Sequence, residues 1–348
     1  MKQVRVGVIG ATGYGGAESV RLLLSHPCVS LTYVTSETYQ NQPLGRVIPS
    51  FHGFDGLVCE SFSIDEAAKR CDVVFLARTD AGWSMQVIPE LLSAGVKVVD
   101  FSADFRLQDV NVYAEWYKKE HTAPDLLREA AYGIPELWRE CIQGARLVAN
   151  PGCYPTSVLL GLAPLLREGL VSDVCISSAS GVSGAGRSKI TIDYHFPEVN
   201  ESMRPYGVHG HRHRPEIEQG MRLISGREYK ISFVPHLAPM TRGILSTMFV
   251  ALNKPLSQAE LDEIYLGFYR GERFVRVLTD GSLPTTAGVW GSNYCHVAAV
   301  ADPRTQRAVV MSALDNLVKG MSGQAVQNMN LMMGLPEEAG LCQPGVYP

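Results

Sequence analysis

The residues of this chain best placed to do chemistry are Ala149-Asn150-Pro151-Gly152-Cys153-Tyr154-Pro155-Thr156. An apolar strand-like run, Arg146–Ala149, ends just before them, and a helical pattern, Thr156–Arg167, follows. A cysteine at such a turn sits at the positive end of a helix dipole, where the reactive thiolate form is favoured. Free amides at the same turn can hold an oxyanion. The ordinary alternative is a buried structural thiol, and that is the expectation for most of the other seven cysteines (28, 59, 71, 141, 175, 295 and 342). No C-x-x-C pair occurs, which argues against a zinc knuckle or a redox dithiol.

The second grouping is Gly10-Ala11-Thr12-Gly13-Tyr14-Gly15-Gly16, after the β-branched run Val4–Ile9 and before a helical stretch at Ala17–Ser25. Strand, glycine turn and helix in this order make a dinucleotide pyrophosphate site. One glycine allows the tight turn, a second the approach of phosphate, a third the packing of helix on strand, and the helix start offers its amides to the anion. After the second strand comes Thr35-Ser36-Glu37-Thr38. The hydroxyls suit a ribose 2′-phosphate, whereas Glu37 suits a 2′-hydroxyl. A thiol beside a nicotinamide points to reduction of an acyl phosphate through a thioester.

Proton transfer in that chemistry needs an acid/base, and His209-Gly210-His211-Arg212-His213-Arg214-Pro215-Glu216 supplies candidates, with Glu216 three residues beyond His213. His236 is another. The alternate histidines also allow a metal reading, but no fourth ligand lies near them in sequence. For the substrate phosphate, Arg106 stands at the end of Asp100-Phe101-Ser102-Ala103-Asp104-Phe105-Arg106, after the strand Val96–Phe101. A second glycine-rich loop, Ser180-Gly181-Val182-Ser183-Gly184-Ala185-Gly186-Arg187, brings amides to the substrate or the nicotinamide, and Arg187, Lys189 and Arg242 add charge.

These groups need a scaffold. In the first half, continuous apolar runs at Val4–Ile9, Ser30–Thr35, Asp72–Ala77, Val96–Phe101 and Arg146–Ala149 alternate with helical patterns such as Met85–Ser93. That spacing predicts a doubly wound α/β domain with a parallel sheet, a Rossmann domain. After Cys153 the strand candidates crowd together: Val174–Ala179, Tyr229–Val234, Ile244–Ala251, Phe274–Leu278, Cys295–Ala301 and Ala308–Met311. With helices at Pro215–Ile224 and Ser257–Tyr269 they predict an α+β domain with a largely antiparallel sheet. Ser312–Met332 reads as one long final helix. Residues 1–152 are thus expected to form the dinucleotide-binding domain and 153–312 the catalytic and oligomerisation domain, sharing a cleft, with a helix over 313–333 packing back on the first. A net charge of −4 without charge runs argues against nucleic acid or an acidic membrane as partner. No apolar run approaches the ~18 residues of a membrane span, and the start of the chain lacks a signal-peptide pattern, so a cytoplasmic protein is expected.

The strings Gly10–Gly16, Pro151–Thr156, Gly181–Arg187, His211-Arg212-His213-Arg214-Pro215-Glu216-Ile217 and Pro235-His236-Leu237-Ala238-Pro239-Met240-Thr241-Arg242-Gly243 occur in an order that resembles the N-acetyl-gamma-glutamyl-phosphate reductases, relatives of aspartate-semialdehyde dehydrogenase. The resemblance implies Cys153 as nucleophile, and His213 with Glu216 as acid/base. It implies NADP(H), held by Gly10, Ala11, Thr12, Gly13, Tyr14, Gly15, Ser36, Ala77, Ser183, Gly184 and Asn316. It also implies an N-acetyl-glutamyl 5-phosphate substrate near Arg106, Asn150, His211 and Arg242, and a homo-oligomer, a dimer or tetramer, in arginine biosynthesis. Two departures stand out. Many such proteins carry Ser-Arg where this chain has Ser36-Glu37, and a Leu-Pro-His turn where it has Ala77-Arg78-Thr79-Asp80. Other readings of the same residues are a sister enzyme taking aspartyl or aminoadipyl phosphate, a dinucleotide-sensing regulator without turnover, and a cysteine hydrolase using Cys153 and His213.

Overall fold

The computed structural model describes residues 3–54, 56–189 and 191–346. The chain divides into two compact units. The first holds residues 1–151, 186–188 and 321–342; the second holds 152–185, 189–320 and 343–348.

Six strands build the first unit: β1 (Val4–Ile9), β2 (Val29–Thr35), β3 (Val73–Leu76), β4 (Lys97–Asp100), β5 (Ala131–Tyr132) and β6 (Leu147–Ala149). Their order is β2-β1-β3-β4-β6-β5, and every pairing is parallel. β3 and β6 are buried along their whole length. That is why these strands read as unbroken apolar runs and not as alternations. The helices Tyr14–Leu24 and Gly323–Met332 pack together, as do Ile64–Arg70 and Ser84–Ser93. The glycine turn enters its helix three residues earlier than periodicity implied, because Tyr14 already has helical backbone.

The second unit is a seven-stranded sheet of β7 (Val171–Ser180), β8 (Arg204–Pro205), β9 (Ser232–Leu237), β10 (Ile244–Leu252), β11 (Val275–Val277), β12 (Cys295–Asp302) and β13 (Arg307–Leu314). The order is β11-β12-β13-β10-β7-β9-β8, with four of the six pairings antiparallel. Both predicted sheet types are therefore present. β7, β9 and β13 run the same way, so the loops after all three emerge at one end of the sheet. The inward row Ile176–Met248–Val310–Ala299 is buried, and the helix Cys153–Arg167 packs against β10 and β13. The outward row Cys175–Phe249–Val309–Val300 is open, with Phe249 43% and Val300 41% exposed.

Two sequence expectations need correction. The strand expected at Tyr229–Val234 lies at Ser232–Leu237, which puts His236 inside the sheet. The single helix expected over Ser312–Met332, or 313–333, does not exist. Ser312–Leu314 finish β13, Asp315 turns the chain by accepting from the amides of Leu317 and Val318, and a π-turn spans Val318–Ser322. The α-helix is confined to Gly323–Met332 and is buried at all ten residues. Ser312-Ala313-Leu314 satisfy strand and helix patterns alike, so pairing with β10 and β12 decides these three.

Candidate active site

In the first unit, β1 ends in a turn shaped by close approach. Gly10 has φ +90°, and a Cβ there would meet the Ala77 carbonyl and the Arg78 stem. A Cβ on Gly16 would collide with the Gly10 carbonyl, so only glycine lets the helix start this close to the strand. Gly13 is the N-cap of Tyr14–Leu24, with no side-chain cap and no acidic residue in the first turn. Only the Gly10 carbonyl, 3.6 Å away, lies near the position of a Cβ on Gly13. An open, uncapped helix start with glycine on its rim fits a pyrophosphate. Ala11 donates to the Thr35 carbonyl, which ties the turn to β2, and the hydroxyls of Thr12 and Ser36 lie 2.8 Å apart.

Two residues expected at the substrate are buried in this unit's framework. Arg106, 8% exposed, donates to the carbonyls of Asn150 and Phe101. The Asn150 amide donates to the Met321 carbonyl and accepts from Asn328. Together they fix the end of β6, where the chain runs on to Pro151.

In the second unit, Cys153 is the first residue of the helix Cys153–Arg167, one residue earlier than Tyr154 and three earlier than the Thr156 start expected. The N-cap, Gly152, supplies no side chain, and the helix's own first turn holds no acid; a carboxylate is brought to this helix start by Glu216, from another helix. From Tyr154 to Leu166 the helix is buried, whereas Cys153 itself is only half-buried. Burial raises two other thiols, pushing Cys71 up to about 11 and lifting Cys59. The expectation that most of the remaining cysteines are buried fails, since only Cys59, Cys71 and Cys295 are, and Cys141, Cys175 and Cys342 are exposed.

His213 begins the helix His213–Ser225, and its ring lies against the Gly152 backbone. A Cβ on Gly152 would come within 2.5 Å of His213 Nε2. Glu216, one turn along the same helix and buried, accepts from the Gly152 amide at 2.8 Å. The His213 ring and the Glu216 carboxylate thus both converge on Gly152, the residue preceding Cys153. His211 has a different part. Its Nδ1 accepts from the His213 amide, and its ring packs edge-on against His213, Tyr154, Tyr206 and Phe233. Burial, and then the charges of Arg212 and Arg214, lower it to about 4, so it is neutral at neutral pH. The remaining candidate, His236, lies in β9, paired with Ala179, with Nδ1 3.5 Å from the Ser177 hydroxyl.

Three loops meet at the end of the sheet where β7, β9 and β13 terminate. The amides of Gly181, Val182 and Ser183 donate to the carbonyls of Gly243, Met240 and Thr241. Asn316 joins the third loop to these two by accepting from Gly243 and donating to Ser183. Arg242 lies 3.6 Å from the buried Asp315. Gly320 closes on Cys153, for a Cβ there would stand 2.9 Å from that of Cys153. Ser183, Gly184, Asn316 and Arg242, scattered over 134 positions of sequence, therefore share one end of one sheet with Cys153. One feature went unread in the sequence: the row Ser178–Ser246–Ser312, paired across three strands, in which the Ser246 and Ser312 hydroxyls bond with that of Ser157 on the Cys153 helix and the Ser178 hydroxyl bonds with that of Ser246. Serine at inward-facing strand positions was the available signal. No group of three His, Cys, Asp or Glu side chains suited to a metal occurs among the described residues.

Residues 5–145 match the semialdehyde dehydrogenase NAD binding domain, and residues 153–316 match the semialdehyde dehydrogenase dimerisation domain. An N-acetyl-gamma-glutamyl-phosphate reductase of Desulforamulus reducens is 51% identical over 347 residues, covering 99% of this chain and 100% of its own. The chain belongs to the N-acetyl-gamma-glutamyl-phosphate reductase family. Another member, from Symbiobacterium thermophilum, is 51% identical over 349 residues and 99% of both chains. Family membership makes the chain an oxidoreductase with an NAD(P)-binding domain. The fold extends more widely. Aspartate semialdehyde dehydrogenase II of Vibrio cholerae superposes with a TM-score of 0.73 at 16% identity, over 96% of this chain and 99% of that one. The Candida albicans aspartate semialdehyde dehydrogenase, solved with NADP, gives 0.70 over 95% and 99% at 16% identity.

Proposed function

We propose that this protein reduces N-acetyl-γ-glutamyl phosphate to N-acetyl-glutamate 5-semialdehyde and phosphate, with NADPH, through a thioester on Cys153, as a step of arginine biosynthesis in the cytoplasm. The observation that carries the reading is the half-buried Cys153 opening a helix, with the His213 ring held against the preceding residue. The free state of all eight cysteines supports a reducing compartment.

The Cys153 thiolate attacks the acyl carbon; the C–S bond forms as the C–O bond to phosphate breaks, and phosphate leaves with the electron pair. The amides at the start of the Cys153 helix stabilise the carbonyl oxygen as charge gathers on it. Gly10–Gly15 and the Thr12 and Ser36 hydroxyls would hold NADPH, whose chemistry when bound would be hydride transfer to the thioester carbon. His213 then protonates the resulting oxyanion and later removes the same proton, so the C–S bond breaks, the aldehyde departs and the thiolate returns. Arg242 is our choice for the anionic groups of the substrate, with Asp315 holding it in place. Ser183, Gly184 and Asn316 complete the loops around the reacting carbon. The open row Cys175–Phe249–Val309–Val300 is the surface through which two copies pair, in keeping with the dimerisation domain matched over this unit.

Mass spectrometry of the protein with acyl phosphate and no dinucleotide tests the covalent step. An acyl adduct on Cys153 is expected, and its repeated absence from a protein that still turns over overturns the mechanism. Phosphate-dependent oxidation of semialdehydes tests the substrate: turnover of aspartate semialdehyde but not of the N-acetylated glutamate compound would replace it.

A further inference from the structure

The reductase reading leaves an electrostatic conflict at the cofactor turn. Glu37 directly follows Ser36, at the place where a carboxylate opposes a ribose 2′-phosphate. Two guanidinium groups of the first unit bear on it. Arg78 lays its stem against Gly10 and its guanidinium 4.3 Å over the Trp83 ring; it pairs with Glu37 at 3.6 Å and Asp80 at 3.1 Å. Arg187 donates to the carbonyls of Thr12, in the glycine turn, and of Val47, and lies 5.8 Å from the centre of the Tyr39 ring. Among the described residues no carboxylate pairs with Arg187, so its charge stands uncancelled. The Thr12 and Ser36 hydroxyls, 2.8 Å apart, lie beside it, and the Ser36 hydroxyl also accepts from the Tyr39 amide.

We propose that Arg187 is the cation that recognises the additional phosphate of a 2′-phosphorylated dinucleotide, while Arg78 cancels the Glu37 carboxylate that would repel it. The two roles are separable. A guanidinium held by backbone carbonyls keeps its full charge and its remaining N–H groups can form charge-assisted bonds to phosphate. A carboxylate paired with an arginine stacked on tryptophan is restrained and partly neutralised. The site thus takes its selective charge from a loop 150 positions downstream of Glu37 and not from the residues flanking β2.

This inference rests on the dinucleotide reading and is tested by binding, without turnover. Calorimetric titration with 2′,5′-ADP and with 5′-AMP should show the former bound tighter by about tenfold or more in the unmodified protein. Arg187→Ala should bring that ratio close to one while 5′-AMP affinity holds within about threefold, and Arg187→Lys should recover part of it. Arg78→Ala should also lower the ratio, and adding Glu37→Gln to it should restore the ratio. Equal weakening of both nucleotides by Arg187→Ala would reduce Arg187 to a brace for the glycine turn and overturn the proposal, as would an unchanged ratio. Equal affinity of the unmodified protein for the two nucleotides refutes this inference alone; binding of neither refutes the dinucleotide reading with it.

Discussion

Gly152 sets the geometry of the proposed reaction centre, because three groups press on one residue. Its amide holds Glu216, its α-carbon faces the His213 ring, and its carbonyl accepts from the Thr156 hydroxyl. Its φ of −67° is open to alanine, so Gly152→Ala tests contact and not backbone strain. The added methyl displaces His213. Steady-state kinetics should show kcat lowered on the order of 10²-fold, with dinucleotide affinity unchanged. His211 makes a second residue-scale prediction. Its proton affinity is lower folded than unfolded, so the unfolded chain binds the extra proton and its stability contribution, complete above the unfolded value of 6.5, is lost as pH falls toward about 4. Thermal melts should therefore show His211→Asn less sensitive to acid than the parent across that window. Much of this was legible in sequence. Cys153 and His213 are marked by local turn chemistry, which proximity in sequence preserves. That Glu216 reaches the Gly152 amide was not legible, since 64 positions separate them.

At the scale of the element, the helix that Cys153 opens is tied down by hydroxyls as well as by apolar packing. Ser157, one turn after Cys153, bonds with Ser246 and Ser312, and Ser246 with Ser178, all buried. Removing one member leaves its neighbours short of a partner. Ser157→Ala should cost about 1–3 kcal/mol in denaturant unfolding, with kcat lowered more than KM raised, because the helix start shifts. Such a row is invisible to periodicity, which treats serine as an outward residue and has no means to register three strands against one another. The same blindness turned the end of β13 into helix. Strand pairing over 70 positions, between Ile244 and Leu314, outweighs the local preference of small residues.

Across the whole molecule, the alternation of strands and helices and its change after Cys153 were enough to foresee both sheets, since burial on two faces or one leaves distinct patterns. The fate of the sheet's uncovered row was not readable, because Cys175, Phe249, Val309 and Val300 come together only through register. Phe249→Glu places a charge in the middle of that row. Sedimentation velocity should show the assembly weakened toward single chains, with the dinucleotide affinity of each chain retained.

The two units also cross in sequence, and this bears on how the protein is made. The first unit is completed by residues 321–342. Until these appear, His26 lacks Asn330, the Gly133 carbonyl lacks Asn328, and Lys97 lacks the Met332 carbonyl. A nascent chain on the ribosome therefore holds its nucleotide-binding half unfinished until residues 321–342 emerge. The helix Gly323–Met332 closes the first unit begun, so a chain cut off before it would have an open flank along Tyr14–Leu24 and would not be a shortened enzyme.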